Sequence, residues 1–537
     1  MISFIIKSLT IENFKGIGQK VAFDFKPITL FFGQNSAGKS TVLHAINYLH
    51  DVFNYHTINA DSTSLGHDAL DLGGFKQFVH NHDLDKAVSL EVFLDLRDVE
   101  LLEIGVSKSY LDSLSSVENN VDEYRSLEIS PITDEVNSAV LRLNISWSEL
   151  LKKPYVKQFN VDINDESFIQ VSASSDCKQR EITKINMVHS LFVEAFGEEG
   201  LYALTQFIIE DSFLDVHGNA ILGFENAVDA LPDHHKSLSL TDIWSDDAIE
   251  YSGQKNKFKG LLSALLMGPL EIVADTLAEM RYLGPMRDVP HRNYIPTPTE
   301  SKNWSNGLAA WDLLFKENLT LLKEVNDWLN TKDADVKRLN TGYEVKIDEY
   351  RQFQVGSRLE GLLNVSDLNQ NKTEIEKLLL DMPVKKQFVL NDVRRGVDVF
   401  PSDVGVGISQ LLPVVVGALA KNIAILSIEQ PEIHIHPALQ VALGDLLIFA
   451  SKHKNKSFII ETHSEHLMLR LLRRIRETAS EELENLDYSF NPDDLNVVYV
   501  ECIEGETRLI SLRVDEDGEF IDRWPNGFFG ERAEELF

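Results

Sequence analysis

Residues 33–41 read Gly-Gln-Asn-Ser-Ala-Gly-Lys-Ser-Thr and match the phosphate-binding pattern G-x-x-x-x-G-K-[ST]. Glycines let the backbone wrap closely around a triphosphate, so that successive N–H groups point at its oxygens. In this pattern Lys39 reaches the β- and γ-phosphates, and the Ser40 hydroxyl ligates Mg²⁺. The motif therefore predicts a nucleoside triphosphate site whose contacts come from Asn35, Ser36, Ala37, Gly38, Lys39, Ser40 and Thr41.

A second group of suitable side chains follows two apolar segments late in the chain. The segment 423–428 is typical of a buried strand and ends at Glu429, whose carboxylate can hold Mg²⁺ directly or through water. The strand predicted over residues 457–461 is followed by Thr462, His463 and Ser464. Ligands bind at such strand ends in open α/β sheets, so His463 is a candidate to contact the γ-phosphate and orient water.

A glycine-rich turn precedes these strands. Gly405, Gly407 and Ser409 stand at the start of an apolar helix, where backbone N–H groups can bind an anion. This turn is far from Ser40 in sequence, so it is not part of the first loop.

Several residues allow two interpretations. Gln77 is either a sensor of the γ-phosphate through Mg²⁺ or a surface glutamine in a turn, and Arg287 lies either at a phosphate or interface or in a surface loop. The pair His434 and His436 indicates either loop packing or metal binding. The basic stretches 452–456 and 470–476 are either solvated helix faces or a binding groove.

The elements that must position these residues suggest an α/β protein. The phosphate loop is preceded by a strand pattern and followed by a helix pattern, as a strand–loop–helix unit requires. We predict a first lobe over residues 1–100, a mainly helical insertion over 101–270, a return to the first unit over 271–400 with a hairpin near Arg395, and a second lobe over 401–537.

Composition limits the class of protein. The chain has 537 residues, 43% of them hydrophobic, and a net charge of −33, which argues against a surface largely wrapped in nucleic acid. We find no run of about 18 apolar residues and expect no membrane span. The first residues lack the pattern of a secretory signal, and the chain has two cysteines, so a reducing cytoplasm is the expected location.

Together, these motifs resemble those of ABC/SMC-type ATPases in the RecF-like and OLD-like group of the AAA family. The resemblance rests on the phosphate loop, Asn13-Phe14-Lys15, the 405–410 turn, the 429–432 strand end and the 462–464 triplet. It implies an ABC-type P-loop head, a mixed sheet flanked by helices, that uses ATP and Mg²⁺. It also implies a dimer or higher oligomer in which the Ser409 turn of one subunit caps ATP on the Lys39 loop of another.

More narrowly, the sequence, including its tail over 515–529, resembles anti-phage defence ATPases of the Septu type, some of which are attached to retrons. That resemblance implies a switch regulating a partner nuclease of the HNH type, in some cases with a reverse transcriptase and its RNA–DNA, so that nucleic acid is contacted through the complex. No nuclease activity is expected from this chain, since the acidic run 515–519 is better explained by a hairpin turn than by a metal site.

Gln430 departs from the family pattern, because many ABC ATPases have a water-polarising glutamate there. A neutral amide cannot accept a proton, so either Glu432 or His463 substitutes or the hydrolysis of ATP to ADP and phosphate is slow. Two alternatives stay open: a DNA-repair or chromosome-handling ATPase acting on DNA, and an ATP-binding scaffold with little turnover.

Overall fold

The secondary structure of the protein is mixed α/β. A computed structural model describes residues 5–66, 70–99, 101, 133–211, 213–214, 220–223, 227–234, 252–292, 294, 304–316, 319–330, 338–364 and 371–525. Residues 526–529 of the tail lie outside the described residues. The helices are α1 (Lys39–Tyr55), α2 (Phe75–Phe78), α3 (Ser190–Asp211), α4 (Ser252–Ala278), α5 (Leu308–Lys316), α6 (Leu319–Leu329), α7 (Arg358–Leu363), α8 (Lys372–Leu380), α9 (Val406–Leu419), α10 (Pro437–Lys454) and α11 (Glu465–Ala479).

The strands divide among three sheets. They are β1 (Ile6–Glu12), β2 (Val21–Asp24), β3 (Ile28–Gly33), β4 (Val88–Asp95), β5 (Ser138–Ser148), β6 (Lys153–Ile163), β7 (Glu166–Ala173), β8 (Arg180–Ile185), β9 (Phe213–Leu214), β10 (Ala220–Gly223), β11 (Met280–Leu283), β12 (Tyr343–Tyr350), β13 (Lys385–Asp392), β14 (Val397–Val399), β15 (Ile425–Glu429), β16 (Ser457–Glu461), β17 (Leu495–Ile503) and β18 (Glu506–Leu512).

A six-stranded sheet in the order β11-β15-β16-β3-β17-β18 carries the phosphate loop. Its strands are parallel except for β18, which runs antiparallel to β17. The strand β3 is buried along its whole length, because Phe31 faces one hydrophobic core and its neighbours Leu30 and Phe32 face the other. The helix α1 contributes to the first core and α9 and α10 to the second, so helices cover both faces, as a parallel sheet requires. The predicted α/β class is confirmed.

Among the described residues of the segment expected to be a mainly helical insertion, the strands β5 to β10 are as extensive as the helices, which corrects that prediction. In the antiparallel order β2-β1-β4-β5-β6-β7-β8-β10-β9, the strands β5 to β8 extend the sheet begun by the N-terminal strands. Buried and half-exposed residues alternate along β5, so one face of the sheet packs on the core. The boundary predicted at residue 100 consequently lies within one sheet.

A smaller sheet, β12-β13-β14, contains the hairpin predicted around Arg395. Leu390 pairs with Val399 and Asp392 with Val397 across the turn, so that prediction is confirmed. The turn predicted after residue 514 also forms, since Gly518 N–H donates to the Asp515 carbonyl oxygen.

One helix bears on the expectation that no apolar stretch could span a membrane. Among the described residues, Gly260–Ala278 is long and apolar enough by length and composition, with a mean hydropathy of 1.6. The sequence expectation did not single out this stretch, which passes the test of length and composition alone. However, 72% of the stretch is buried inside the protein, and Leu261, Leu265 and Leu266 belong to a hydrophobic core. The helix has the environment of a core helix.

Candidate nucleotide and magnesium site

The phosphate loop has the backbone that its glycines permit. Gly38 has φ 105° and stands at the N-cap of α1, and Ser36 is also left-handed at φ 63°. Asn35 and Ser36 are exposed, whereas Ala37 is buried. The N-terminal N–H groups of α1 have no partner within the helix and attract anions. The strand–loop–helix unit predicted from the sequence is confirmed.

Lys39 lies under this loop. Its ammonium donates to the carbonyl oxygens of Gly33 at 3.0 Å and Gln34 at 2.9 Å, and the residue is 4% exposed. Burial lowers the pKa of Lys39 from its ordinary value, while Glu461 and Glu432 oppose that shift. The cation is therefore held directly beneath the loop by backbone oxygens.

Ser40 and Glu461 are in direct contact. The Ser40 hydroxyl donates to Oε2 of Glu461 at 2.7 Å. Glu461 ends β16, which lies between β3 and β15, and it pairs in register with Glu429 at the end of β15. Burial, and next the Glu429 carboxylate, raise the pKa of Glu461 to about 7. The strand next to the phosphate loop thus supplies the carboxylate nearest to Ser40.

Glu429 is held by a different set of groups. The Tyr282 hydroxyl donates to its Oε1 at 2.8 Å, and Nε2 of His44 lies 3.6 Å from the same oxygen. Nδ1 of His44 is 2.7 Å from the Lys15 ammonium. Burial lowers the pKa of Lys15 to about 8, although Glu429 and then Asp71 act in the opposite direction. A row of polar groups therefore runs from the N-terminal turn to the end of β15.

Glu432 fixes the segment containing His463. Its Oε2 accepts from the Thr462 hydroxyl and its Oε1 from the His463 N–H, both at 2.7 Å. Nε2 of His463 is buried and has no hydrogen-bond partner among the described residues. Burial, with the neighbouring Lys39, lowers the pKa of His463 below its ordinary value. At neutral pH this imidazole is uncharged and has one ring nitrogen available to a ligand.

Gln430 has a left-handed backbone, with φ 45°. Its N–H donates to the carbonyl oxygen of Glu461 at 2.7 Å, which links the ends of β15 and β16. The residue is partly exposed at the same sheet edge as Glu429. The two strand ends named from the sequence are therefore adjacent.

The structure corrects the prediction for Ser409. Its side chain is fully buried, and its hydroxyl donates only to the Pro401 carbonyl oxygen at 3.5 Å. Gly407 is also confined, since an added Cβ would lie 2.5 Å from the His434 carbonyl oxygen. The helix begins at Val406, and the exposed residues at its N-terminus are Gly405 and Val406. Every residue of α9 from Ser409 to its end is buried, so Ser409 lies inside the protein and not at the exposed end of the helix.

The structure gives the surroundings of the residues for which the sequence allowed two interpretations. Gln77 is exposed on α2 and its side chain lies against Gly73, as the surface interpretation described. Arg287 is 3% exposed and donates to the Glu429 carbonyl oxygen at 2.7 Å. His436 caps α10 by accepting from Ala438 N–H at 3.2 Å. Arg287 also donates to the Gln410 carbonyl oxygen at 3.4 Å, so it links α9 to β15 and does not lie in a surface loop.

The carboxylates are suited to a shared magnesium ion. Among the described residues, no three His, Cys, Asp or Glu side chains are grouped closely enough to hold a metal by themselves. Mg²⁺ usually takes one or two carboxylates together with phosphate oxygens and waters, so it does not need such a cage. Burial is the main reason why the pKa of Glu461 is raised, and the negative charges of Glu429 and then Glu432 act in the same direction. A divalent cation there would offset that charge, and the site fits one.

Sequence reasoning missed Glu461, His44 and Tyr282 as members of this site. Glu461 was visible as the last residue of a predicted strand, one position before Thr462. Its proximity to Ser40 depends on β16 lying between β3 and β15, which is a property of strand order. His44 was visible only as a helix residue following the phosphate loop.

Family comparisons cover most of the chain. The family model AAA_15, described as an AAA ATPase domain, matches residues 5–204 and 236–468. A second model, described as a protein of unknown function (DUF3696), matches residues 490–537. A search of curated proteins found no match.

Similar solved structures include SMC head domains. An SMC head bound to the C-terminal winged-helix domain of ScpA has a TM-score of 0.37 and 10% identity, covering 95% of this chain and 98% of that one. An SMC head domain with an extended coiled coil, bound to the C-terminal domain of ScpA derived from Pyrococcus furiosus, has a TM-score of 0.37 and 12% sequence identity. That comparison covers 99% of this chain and 98% of the other. The SMC head domain from Thermotoga maritima has a TM-score of 0.35 and 9% sequence identity, and the comparison covers 95% of this chain and 100% of the other.

Proposed function

This chain belongs to the AAA_15 family of AAA ATPase domains, and from that membership we propose that it binds and slowly hydrolyses ATP with Mg²⁺ at the 33–41 loop. In this reaction a water oxygen bonds to the γ-phosphorus, the bond to the β–γ bridging oxygen breaks, and the proton leaves with phosphate. The observation that carries the proposal is the contact of 2.7 Å between Ser40 and Glu461 beside Lys39.

The loop supplies the phosphate contacts. In our proposal the N–H groups over residues 35–41 bind the triphosphate at the start of α1, where the helix dipole favours negative charge. Lys39 exchanges its two carbonyl partners for phosphate oxygens. Because burial already disfavours its charge, the ammonium gains from an anionic partner.

Ser40, Glu461 and Glu429 are the residues that would hold Mg²⁺. The ion supplies charge neutralisation of the β- and γ-phosphate oxygens when bound. Glu461 is placed first because its carboxylate already contacts Ser40, whereas the Glu429 carboxylate contacts Tyr282. We propose no role for Gln77 in this site, because its side chain is exposed against Gly73.

Gln430 and His463 are proposed to orient the attacking water. Glu432 has both carboxylate oxygens engaged by Thr462 and His463, so it acts as a positioning residue. His463 retains a buried nitrogen without a partner. Since Gln430 cannot take a proton, we propose that turnover is slow and that ATP is held for long periods.

Single-turnover hydrolysis tests this function. The purified protein, in excess over labelled ATP, should convert it to ADP only with Mg²⁺, and Lys39→Ala should abolish both binding and conversion. Lys421→Ala changes an exposed lysine and serves as the matched control. Failure of the unmodified protein to bind ATP would refute the proposal. Tight binding without conversion would instead support the second candidate, an ATP-binding scaffold, which Gln430 favours.

We further propose that ATP acts as a switch between assembly states and that the chain regulates an HNH-type nuclease in anti-phage defence within the cytoplasm. This proposal rests on the sequence resemblance. The N-terminus of α9 at Gly405 is exposed, which is consistent with its capping the nucleotide of a second subunit. The cysteines Cys177 and Cys502 are free thiols, which is consistent with a reducing cytoplasm.

Light scattering on a sizing column tests the assembly step. ATP with Mg²⁺ should increase the mass of the unmodified protein but not that of Lys39→Ala. Co-expression with the genomic neighbours should recover a nuclease whose activity depends on the nucleotide state. An unchanged mass under ATP would contradict the switch, and recovery of no second protein would contradict the partner.

A further inference from the structure

The strands β17 and β18 form a hairpin alongside the phosphate loop. It falls within residues 490–537, which match the family model of unknown function. The strand β17 pairs in parallel with β3, from Leu495 opposite Ile28 to Val500 opposite Gly33. The hairpin therefore runs the full length of the strand that leads into the loop and extends past its end.

Thr507, at the start of β18, contacts the loop itself. Its hydroxyl donates to the Ala37 carbonyl oxygen at 3.2 Å, and the residue is 4% exposed. A Cβ added to Gly38 would lie 2.5 Å from that hydroxyl oxygen, and one added to Gly33 would lie 2.2 Å from the Val500 carbonyl oxygen. Both glycines of the phosphate-binding motif are thus required by the close approach of this hairpin.

The same two residues fix the N-terminal turn. Thr507 N–H donates to the Gly16 carbonyl oxygen at 2.9 Å, and Gly18 N–H donates to Oε2 of Glu506 at 3.0 Å. The other carboxylate oxygen of Glu506 lies 3.2 Å from Nε2 of His80. Nδ1 of His80 is in turn 2.9 Å from the Lys15 carbonyl oxygen. The hairpin therefore holds the turn from which Lys15 extends towards His44 and Glu429.

We propose that Glu506 and Thr507 are positioning residues for nucleotide binding, and that the hairpin β17–β18, within the segment of unknown function, is part of the nucleotide site. The hairpin holds the phosphate loop and the Lys15 turn in one relative arrangement before a triphosphate arrives. Such preorganisation raises the affinity for nucleotide, because none of the free energy of binding is then used to order the loop. This inference rests on the proposed function, since the loop must bind ATP for its position to matter.

Two substitutions at Thr507 separate its hydroxyl from its shape. Thr507→Val keeps the volume and removes the donor, and Thr507→Ser keeps the donor. Thr507→Val should weaken the binding of a fluorescent ATP analogue about three- to tenfold, the range expected for one hydrogen bond. Thr507→Ser should restore affinity. Single-turnover hydrolysis at saturating ATP should change less than the dissociation constant, because Thr507 does not touch the reacting atoms.

Glu506→Gln is the second test, since its side chain is 32% exposed and its replacement should leave folding intact even where Thr507→Val does not. Glu506→Gln should weaken binding of the ATP analogue, as Thr507→Val does. Glu504→Gln, at the exposed tip of the hairpin, should leave that binding unchanged. Hydrogen exchange in a peptide spanning residues 33–41 should accelerate in Thr507→Val and Glu506→Gln, while exchange in β15 stays unchanged.

The outcomes distinguish this inference from the function on which it rests. If the unmodified protein binds no ATP analogue, the proposed function fails. If the unmodified protein binds it and both Thr507→Val and Glu506→Gln bind equally tightly, the function stands and the positioning role is wrong. Slower folding or a lower melting temperature with unchanged affinity would also overturn the positioning role, because it would leave the hairpin a purely structural element.

Discussion

The Ser40 hydroxyl lies 2.7 Å from the carboxylate of Glu461, and the Glu429 carboxylate, one strand further away, accepts its hydrogen bond from Tyr282. The carboxylate in contact with Ser40 is therefore the one at the end of β16. This relationship reverses the order of importance suggested by the sequence, in which Glu429 was the candidate metal ligand. The experiments below separate the two carboxylates.

Glu461→Gln should raise the Mg²⁺ concentration needed for half-maximal binding of an ATP analogue by about tenfold or more, because a charged oxygen ligand is replaced by a neutral one. Glu429→Gln should have a smaller effect. Titration of analogue fluorescence with Mg²⁺ or Mn²⁺ measures both. The control is binding of the ATP analogue in excess chelator, which should be no weaker in Glu461→Gln than in the unmodified protein. A larger shift in Glu429→Gln would show that Glu429 is the main ligand.

The stability of the metal-free protein should fall as pH rises from about 5 to 8. Burial raises the pKa of Glu461 from 4.5 to about 7, so the folded state binds more protons than the unfolded state across that window. The lost stability is of the order of 3 kcal/mol, from about 1.4 kcal/mol per pKa unit. Denaturant unfolding at several pH values measures it.

Glu461→Gln should flatten this pH profile, whereas Glu484→Gln at an exposed site should not. Some slope should remain, since burial, and next Asp275, also raise the pKa of Glu271 to about 7. An unaltered profile in Glu461→Gln would mean that Glu461 is charged in the folded protein at neutral pH.

Gln430→Glu should accelerate single-turnover hydrolysis by about tenfold or more, since a positioned general base contributes roughly 10²–10⁴-fold. The backbone at φ 45° is equally demanding for either residue, so the comparison isolates the carboxylate. An unchanged rate would show that proton transfer does not limit turnover and that Gln430 is not the cause of slow hydrolysis.

His463→Ala should slow hydrolysis by about tenfold or more while leaving nucleotide affinity within a few-fold, because its free ring nitrogen is proposed to orient water. His466→Ala, on the exposed face of α11, is the matched control. Equal rates in the two variants would remove His463 from the proposed mechanism.

Asp445→Asn should destabilise the fold by about 3–5 kcal/mol, because it leaves one buried and one half-buried guanidinium group without their full counter-charge. Arg470 and Arg474 both donate to the fully buried Asp445 carboxylate. Arg473→Gln is the control and should change stability by less than about 0.5 kcal/mol, since Arg473 pairs with Glu477 at the surface. Thermal or denaturant unfolding distinguishes them.

Local features of this protein were predictable and non-local ones were not. The strand–loop–helix unit around Lys39 and the hairpin near Arg395 depend on adjacent residues, and both form as predicted. Ser409 was expected at the exposed start of α9, but the helix is buried from Ser409 onward. How much of a helix is covered depends on the packing of distant segments, which the sequence motif does not contain.

The strands of residues 138–185 illustrate a missed local signal. Val140, Arg142 and Asn144 alternate with the buried Leu141, Leu143 and Ile145 along β5, which is a period-two pattern. Their pairing with β4 across the intervening segment could not be derived from periodicity. The same limitation hid Thr507, whose contact with Ala37 joins the two ends of the chain.

The position of β3 in its sheet also has a consequence for biosynthesis. This strand is made early, yet the strands on either side of it, β16 and β17, are made near the end of the described chain. A nascent polypeptide therefore cannot complete the central sheet on the ribosome until residues 457–512 have emerged. Contacts so distant in sequence slow folding. We expect ATP binding to appear only at that late stage, so that an unfinished chain would not compete for nucleotide.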